Sequence, residues 1–142
     1  MIEQGIFQLV TQAPAVQAAV GIDANGVTRA AWVLMKQGTP VPFLVFSRVG
    51  TTNPYTMAGP LGTREALYQI ACYAASYYSS REVAKTVIKC LESYTKGGTL
   101  PDADATVVKS VMLDKDFDAR YEEGDKGFVF TAYLQFRIWY LD

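Results

Sequence analysis

The sequence predicts an α+β fold with a mainly antiparallel sheet of about four to five strands and two helices, in the order α-β-β-β-α-β-β. Residues 128–140 place apolar side chains at every second position, which is the spacing of one long strand. Residues 2–20 and 83–94 instead repeat apolar positions at helical spacing. Strand-like runs that follow one another without an intervening helix favour antiparallel pairing.

The composition is that of one globular domain, which we expect to span residues 1–142. Half of the 142 residues are apolar, so a sizeable core needs no disulfide or metal. Thirteen basic and fourteen acidic residues give a net charge of −1, so the chain has no excess of positive charge that would favour binding to nucleic acid or an anionic membrane. The charge is uneven: residues 1–64 hold four basic and two acidic residues, and the remainder nine and twelve. This asymmetry could favour head-to-tail subunit contacts or reflect chance.

Targeting and redox signals are absent from the sequence. No run approaches the roughly 18 apolar residues that span a bilayer, and the first residues lack a basic region followed by an apolar run. We therefore expect no membrane partner and synthesis in a cytoplasm. Cys72 and Cys90 fall on an apolar strand face and in a helix, as buried free thiols do. With no histidine, two cysteines cannot form the usual structural zinc sites.

The first half of the chain predicts a helical segment and two strands. Pro14 either kinks the helical segment over residues 2–20 or starts a second helix, and Gly21 ends it. A turn over residues 23–26 separates the helix from a strand near residues 27–35. After a connector with glycine and proline, a second strand follows at residues 43–49.

The second half begins with a loop. Residues 50–63 hold three glycines and two prolines, so we expect an exposed, mobile loop rather than a tight hairpin. A strand over residues 65–73 follows. Ser79 and Glu82 form a capping-box pattern at the start of the second helix. Two more strands, 107–117 and 128–140, flank a polar turn at residues 120–127.

The last strand has two unlike faces. The first face is predicted to lie in the core, and its residues are Phe128, Phe130, Ala132, Leu134, Phe136, Ile138 and Tyr140. The second face is predicted to be a contact surface, and its residues are Val129, Thr131, Tyr133, Gln135, Arg137 and Trp139. At about 3.3 Å per residue the strand runs roughly 43 Å, whereas the radius of gyration expected of such a domain is about 15 Å. We interpret it as a two-faced edge strand that a partner covers.

Asp114, Asp116 and Asp118 alternate like the first ligands of a calcium loop, with Asp125 at the twelfth position. The sharp-turn glycine is replaced by Ala119, and the flanking segments predict strands rather than helices. A solvated strand end is therefore favoured over a cation site.

Catalytic signatures are also missing. The chain has no histidine, which is the commonest general base, and no Gly-rich phosphate cradle of the known types. We expect neither an enzyme nor a bound cofactor.

Several segments together resemble a known family. They are residues 1–20, 42–48 (PFLVFSR), 68–74 (YQIACYA) running into 80–84 (SREVA), and 136–140 (FRIWY). In that order they are similar to the small tail-completion, or head-to-tail joining, proteins of tailed bacteriophages and prophages. The turn at residues 23–26 departs from the short entry typical of the family.

This resemblance implies a tail-terminator-like α+β subunit without catalytic residues. It implies assembly as a ring, commonly six-fold, in contact with the tail tube protein and the head-tail connector proteins at the head-tail junction of the virion, after assembly in the host cytoplasm. The candidate interface residues are Tyr133, Arg137, Trp139, Tyr55 and Met57. The alternatives are a ligand-binding or enzymatic domain that uses the open sheet face as a pocket, and a simple dimer.

Overall fold

The computed structural model describes residues 2–22, 28–33, 42–52, 55–57, 59–60, 62–101, 105–122 and 128–141. The helices in these segments are α1 (Ile2–Thr11), α2 (Pro14–Val20) and α3 (Tyr77–Glu92). The strands are β1 (Ala30–Trp32), β2 (Phe43–Thr52), β3 (Tyr55–Thr56), β4 (Gly59–Pro60), β5 (Thr63–Ala74), β6 (Gly98–Thr99), β7 (Val107–Glu122) and β8 (Phe128–Leu141).

The main sheet has six strands in the order β1-β2-β5-β8-β7-β6, and β3 and β4 pair only with each other. The α+β class is therefore confirmed, while the predicted strand count and element order are wrong. The sheet is mixed, because β1 runs parallel to β2 instead of antiparallel. The connector between these strands is too long for a tight hairpin turn, so the chain has room to cross back in parallel.

The long strand β8 lies in the middle of the sheet. It pairs antiparallel with β5 from Phe130 to Leu141 and with β7 from Phe128 to Tyr140. The interpretation as an edge strand is therefore wrong. Both backbone edges of β8 are occupied, and its two apolar-leaning faces arise because neighbouring strands flank it on each side.

Pro14 starts a new helix, so the described residues contain three helices where the sequence predicted two. Pro14 occupies the first turn of α2, where a missing N–H costs no hydrogen bond. Gly21 then ends α2 with a positive φ of 88°, a conformation that glycine adopts without steric cost.

Helix α3 begins earlier than predicted. Its N-cap is Ser76, whose Oγ accepts a hydrogen bond from the backbone N–H of Ser79 at 3.2 Å. Ser76 has the extended backbone that an N-cap needs, and such a cap stabilises a helix by about 1 kcal/mol. The predicted cap at Ser79 is therefore wrong, because Ser79 already lies in the first turn.

Other boundaries move as well. β7 continues to Glu122, so residues 120–122 are strand and not part of the predicted polar turn, and residues 123–127 lie outside the described ones. The turn predicted at residues 23–26 also lies outside them. Inside the predicted loop, the pairing of β3 with β4 forms a short ladder. The mobility of residues 50–63 stays a prediction.

The core lies between the helices and one face of the main sheet. Helix α1 reaches across to the sheet, where the hydroxyl of Tyr68 donates to Glu3 at 3.2 Å. The largest buried sheet side chains on this face are Leu44, Phe46, Tyr68, Ile70, Leu134, Phe136 and Ile138. Cys72 is buried and Cys90 half-buried, and both are free thiols, as predicted. None of the described helices is long and apolar enough to cross a membrane.

Candidate functional site

The second face of the main sheet faces away from the helices. We call it the open face. Strand register assigns to it Phe43, Val45 and Ser47 of β2, Glu65, Leu67, Gln69, Ala71 and Tyr73 of β5, Thr131, Tyr133, Gln135, Arg137 and Trp139 of β8, and Ser110, Met112, Lys115, Phe117 and Ala119 of β7. The described helices instead share one core cluster with the opposite face.

Two aromatic pairs lie on the open face. The rings of Phe43 and Tyr73 stack with centroids 4.8 Å apart, and those of Phe117 and Tyr133 stack at 5.0 Å. Phe117 is nevertheless 43% exposed. Stacked aromatic rings at a surface offer large, rigid contact area to a partner.

Polar side chains lie nearer the C-terminal end of β8. Gln135 donates from Nε2 to Oε1 of Gln69 at 3.1 Å. Arg137 forms an ion pair with Glu65 on β5, and its Nη2 lies 3.4 Å from Oδ1 of Asp114 on β7. These pairs link β8 to its neighbours β5 and β7. The guanidinium of Arg137 is therefore held by side chains of its own chain.

The structure brings three of the five candidate interface residues together. Tyr133, Arg137 and Trp139 project from the open face of β8, and each is half-buried. Met57 is fully exposed in the turn between β3 and β4, away from the main sheet pairing. Tyr55 belongs to β3. Their role as an interface stays a prediction.

Sequence reasoning missed Phe117 and Phe43 as members of this surface. Phe43 alternates regularly within β2, so the residue pattern contained a local signal for it. In β7 the bulge between Leu113 and Lys115 moves Phe117 to the face opposite Leu113, which simple alternation does not predict. What the pattern lacked was the cross-strand register that sets Phe117 opposite Tyr133 and Phe43 opposite Tyr73. Register depends on pairing between distant segments, which one strand's periodicity does not specify.

The three alternating aspartates lie within β7 and on two sides of it. Asp114 faces Arg137 on the open face, whereas Asp116 and Asp118 face helix α3. Arg81 of α3 donates to both oxygens of Asp116 at 2.7 Å and to Asp118 at 3.1 Å. The three aspartates are exposed, as predicted, but they lie within β7 and not at its end, and they form ion pairs with arginines. The described residues include no group of three acidic, cysteine or histidine side chains that could hold a metal ion.

We expect the Arg81–Asp116 pair to stabilise the fold in a pH-dependent way. Hydrogen bonding from Arg81 lowers the pKa of Asp116. A lowered folded-state pKa adds stability above the ordinary carboxyl pKa, and this stability is lost as pH falls through the lowered value. Because the two side chains are 32% and 27% exposed, the contribution is about 0.5 to 1 kcal/mol.

Urea unfolding of Arg81→Gln and of the unsubstituted protein measures this effect. The difference in unfolding free energy should be largest at neutral pH and shrink once the carboxyls are protonated. Lys85→Gln removes an exposed cation one turn further along the same helix and is the matched control. An Arg81 effect that is unchanged in acid would contradict the assignment.

A cavity of about 650 Å³ lies in the helical layer. It separates the α1–α2 junction from α3, and its lining includes Leu9, Pro14, Lys89 and Cys90. Burial raises the pKa of the Cys90 thiol, which keeps the sulfur protonated and a poor nucleophile. This cavity is on the opposite side of the sheet from the pocket that the ligand-binding alternative requires.

Comparison with known proteins gives a match in structure alone. No protein-family model and no curated protein matches the sequence. A chain in the virion of a native gene transfer agent particle has a similar fold, with a TM-score of 0.72 and 14% sequence identity over 99% of this chain and 95% of that chain. The fold occurs in a virion particle.

That likeness covers the helices and the sheet together, so it concerns the whole architecture and not one motif. At 14% identity it establishes a shared fold. A second solved chain matches with a TM-score of 0.45 and 14% identity over 96% of this chain and 93% of that chain, and we draw nothing from it.

Proposed function

We propose that this chain is a structural subunit of a phage or prophage virion that completes the tail at the head-tail junction. The observation that carries the proposal is the similar fold of a gene transfer agent virion chain over nearly the full length of both chains. The family resemblance of the sequence, which was stated on packing segments alone, points to the same class of particle.

The subunit works by assembly and not by catalysis. Its most distinctive charged residues, Arg81, Arg137 and the aspartates of β7, are paired with one another across the fold. Paired charges of this kind hold elements of the fold together, which is a structural role. No cofactor is needed for such a role.

The open face is the surface through which the subunit contacts the neighbouring proteins of the tail. Its aromatic pairs and the ordered Arg137 provide rigid contact area with little conformational entropy left to lose on binding. The partners on this face are the tail tube protein and the head-tail connector proteins. The subunit also meets further copies of itself in a ring, six in number by analogy with the resembling family. The particle forms in the host cytoplasm, and the subunit stays at the junction.

Light scattering on a size-exclusion column, followed by negative-stain imaging, tests the assembly. A ring gives about six times the chain mass of 15.6 kDa and annular particles. Twice that mass with two-fold particles would favour the dimer instead. Function is tested by adding purified protein to heads and tails from cells that lack it. Restored head-tail joining supports the proposal, and failure to join would overturn it.

A further inference from the structure

The two sides of the main sheet each carry a stretch of strand without a neighbour. On one side, β6 pairs only with Val107 and Val108, although β7 continues to Glu122. On the other side, β1 pairs only with residues 44–46, although β2 continues to Thr52. Within the part of the chain that the structure describes, no strand pairs with the outer edge of β7 after Val108 or of β2 after Phe46.

These two open edges lie at the same height in the sheet. Ser47 is aligned through Gln69 and Gln135 with Lys115 on the far side. At the C-terminal end of β2, Thr52 is aligned in the same way with Ser110 of β7, through Glu65 and Trp139. Among the described residues, a six-residue edge, 47–52, therefore lies level with a second edge, 110–115. On the N-terminal side of Ser47, β1 occupies the place beside β2, so β7 of a neighbouring copy must bend away from β2 after Lys115. The bulge of β7 between Leu113 and Lys115 lies at that point and bends the strand.

The strand directions also match. β2, β5, β8 and β7 alternate in direction, so β7 runs antiparallel to β2. A second copy placed beside the first in the same orientation brings its β2 next to β7 as an antiparallel neighbour. The alternation of the sheet then continues from one subunit into the next.

The side chains at the two edges complement each other. A groove of about 250 Å³ runs beside the β7 edge between the end of α3 and the strand, and its lining includes Glu92, Val111 and Leu113. On the β2 edge, Val49 is 52% exposed. The side chain of Arg48 is 58% exposed, lies 3.6 Å from a carboxylate oxygen of Glu3 in its own chain, and is at the height of Leu113 on the helical side of the sheet. An incoming β2 would therefore bring this exposed cation, together with the exposed Val49, to the edge where Glu92 and the groove lie.

We propose that β2 residues 47–52 of one copy pair antiparallel with β7 residues 110–115 of the next copy. An exposed strand edge is a template for such pairing, because its backbone N–H and C=O groups lack strand partners. The contact joins two different patches, so it is head-to-tail and generates a ring when the rotation closes. This inference rests on the ring of the proposed function and names the contact that builds it.

Two single variants separate the two patches. Val49→Glu places a charge on the β2 edge, and Leu113→Glu places one in the β7 groove. Each alone should run as a monomer in light scattering, because every contact in the ring needs both patches. An equimolar mixture should form a dimer of one copy of each, since one intact β7 edge and one intact β2 edge remain. That dimer cannot extend further.

The controls exclude simple misfolding. Tyr78→Glu alters an 80% exposed aromatic side chain at the other end of α3 and should leave the oligomer unchanged. Circular dichroism of both edge variants should match the unsubstituted protein. Hydrogen exchange provides a direct readout of backbone pairing: amides in residues 47–52 and 110–115 should exchange at least 10-fold more slowly in the oligomer than in the variant monomers.

Each outcome decides the question. If both variants still form the wild-type oligomer, or if the mixture gives no dimer, edge pairing is overturned while the ring proposal stands. If the unsubstituted protein remains a monomer at every concentration, and also when tail tubes are added, both the edge pairing and the ring are overturned. If the variants lose the oligomer but the edge amides show no protection, the substitutions act elsewhere and the pairing is overturned.

Discussion

Replacing Trp139 by glutamate should leave the subunit folded and its ring intact, and should abolish head-tail joining. Trp139 projects from the open face, between Glu65 of β5 and Ser110 of β7, and it is half-buried. Tryptophan is the residue type most enriched among those that dominate interface energetics, where truncation costs about 2 kcal/mol or more. A loss of that size weakens each contact roughly 30-fold, and the added charge beside Glu65 must also be desolvated.

The measurement pairs circular dichroism and light scattering with the head-tail joining assay. The Trp139→Glu variant should match the unsubstituted protein in its spectrum and in its oligomeric mass, and should fail to join heads to tails. Ile138→Glu is the matched control, because the side chain of Ile138 points into the core, where it is 1% exposed, and the same charge there should unfold the chain. If Trp139→Glu unfolds as well, or joins heads to tails normally, the open face is not the surface that contacts the tail.

Replacing Phe136 by alanine should cost the most stability of any truncation to alanine that we consider. Phe136 is 1% exposed in the central strand, on the face covered by the helices. Deleting a buried phenylalanine ring removes its transfer free energy and leaves a cavity, for a total of about 3 to 5 kcal/mol. In a domain of this size, such a loss lowers the thermal midpoint by roughly 10 °C.

Phe117→Ala provides the comparison. It deletes the same ring from the open face of the neighbouring strand, where Phe117 is 43% exposed and stacks on Tyr133. Its cost should be about 1 kcal/mol, because solvent already reaches the site and chiefly the stacking is lost. Thermal unfolding of both variants checks the difference. Equal costs would mean that the two faces of the sheet are not divided into core and surface as described.

The local pattern of the sequence predicted the strongest elements well. The alternation over residues 128–140 correctly assigned Ala132, Leu134, Phe136, Ile138 and Tyr140 to the core. The helical spacing after Ser79 located α3 to within one turn. These elements are set by side-chain periodicity, which one segment contains in full. Pro14 was compatible with a kink or a new start, and the packing of α2 against α3 goes with the second outcome.

The position of β8 could not be read in this way. A central strand and a partnered edge strand both show two apolar-leaning faces, and only pairing with β5 and β7 distinguishes them. The candidate site could likewise be predicted only where it depends on periodicity within one strand. Tyr133, Arg137 and Trp139 share a face by periodicity alone, whereas the ion pair of Arg137 with Glu65 joins residues that the chain separates by two strands and a helix.

The central position of β8 also governs how the chain reaches its fold. β8 is the last described strand in chain order, yet it joins β5 to β7, so the middle of the sheet closes only after residues 128–141 have been synthesised. Pairs such as Thr63 with Leu141 close long loops, and such contacts slow folding relative to helical neighbours. Until then, β5 and β7 stay apart on the nascent chain, and neither the open face nor the level edges exist. A chain that stops before residue 128 therefore lacks the surface and the edges on which the proposed assembly depends.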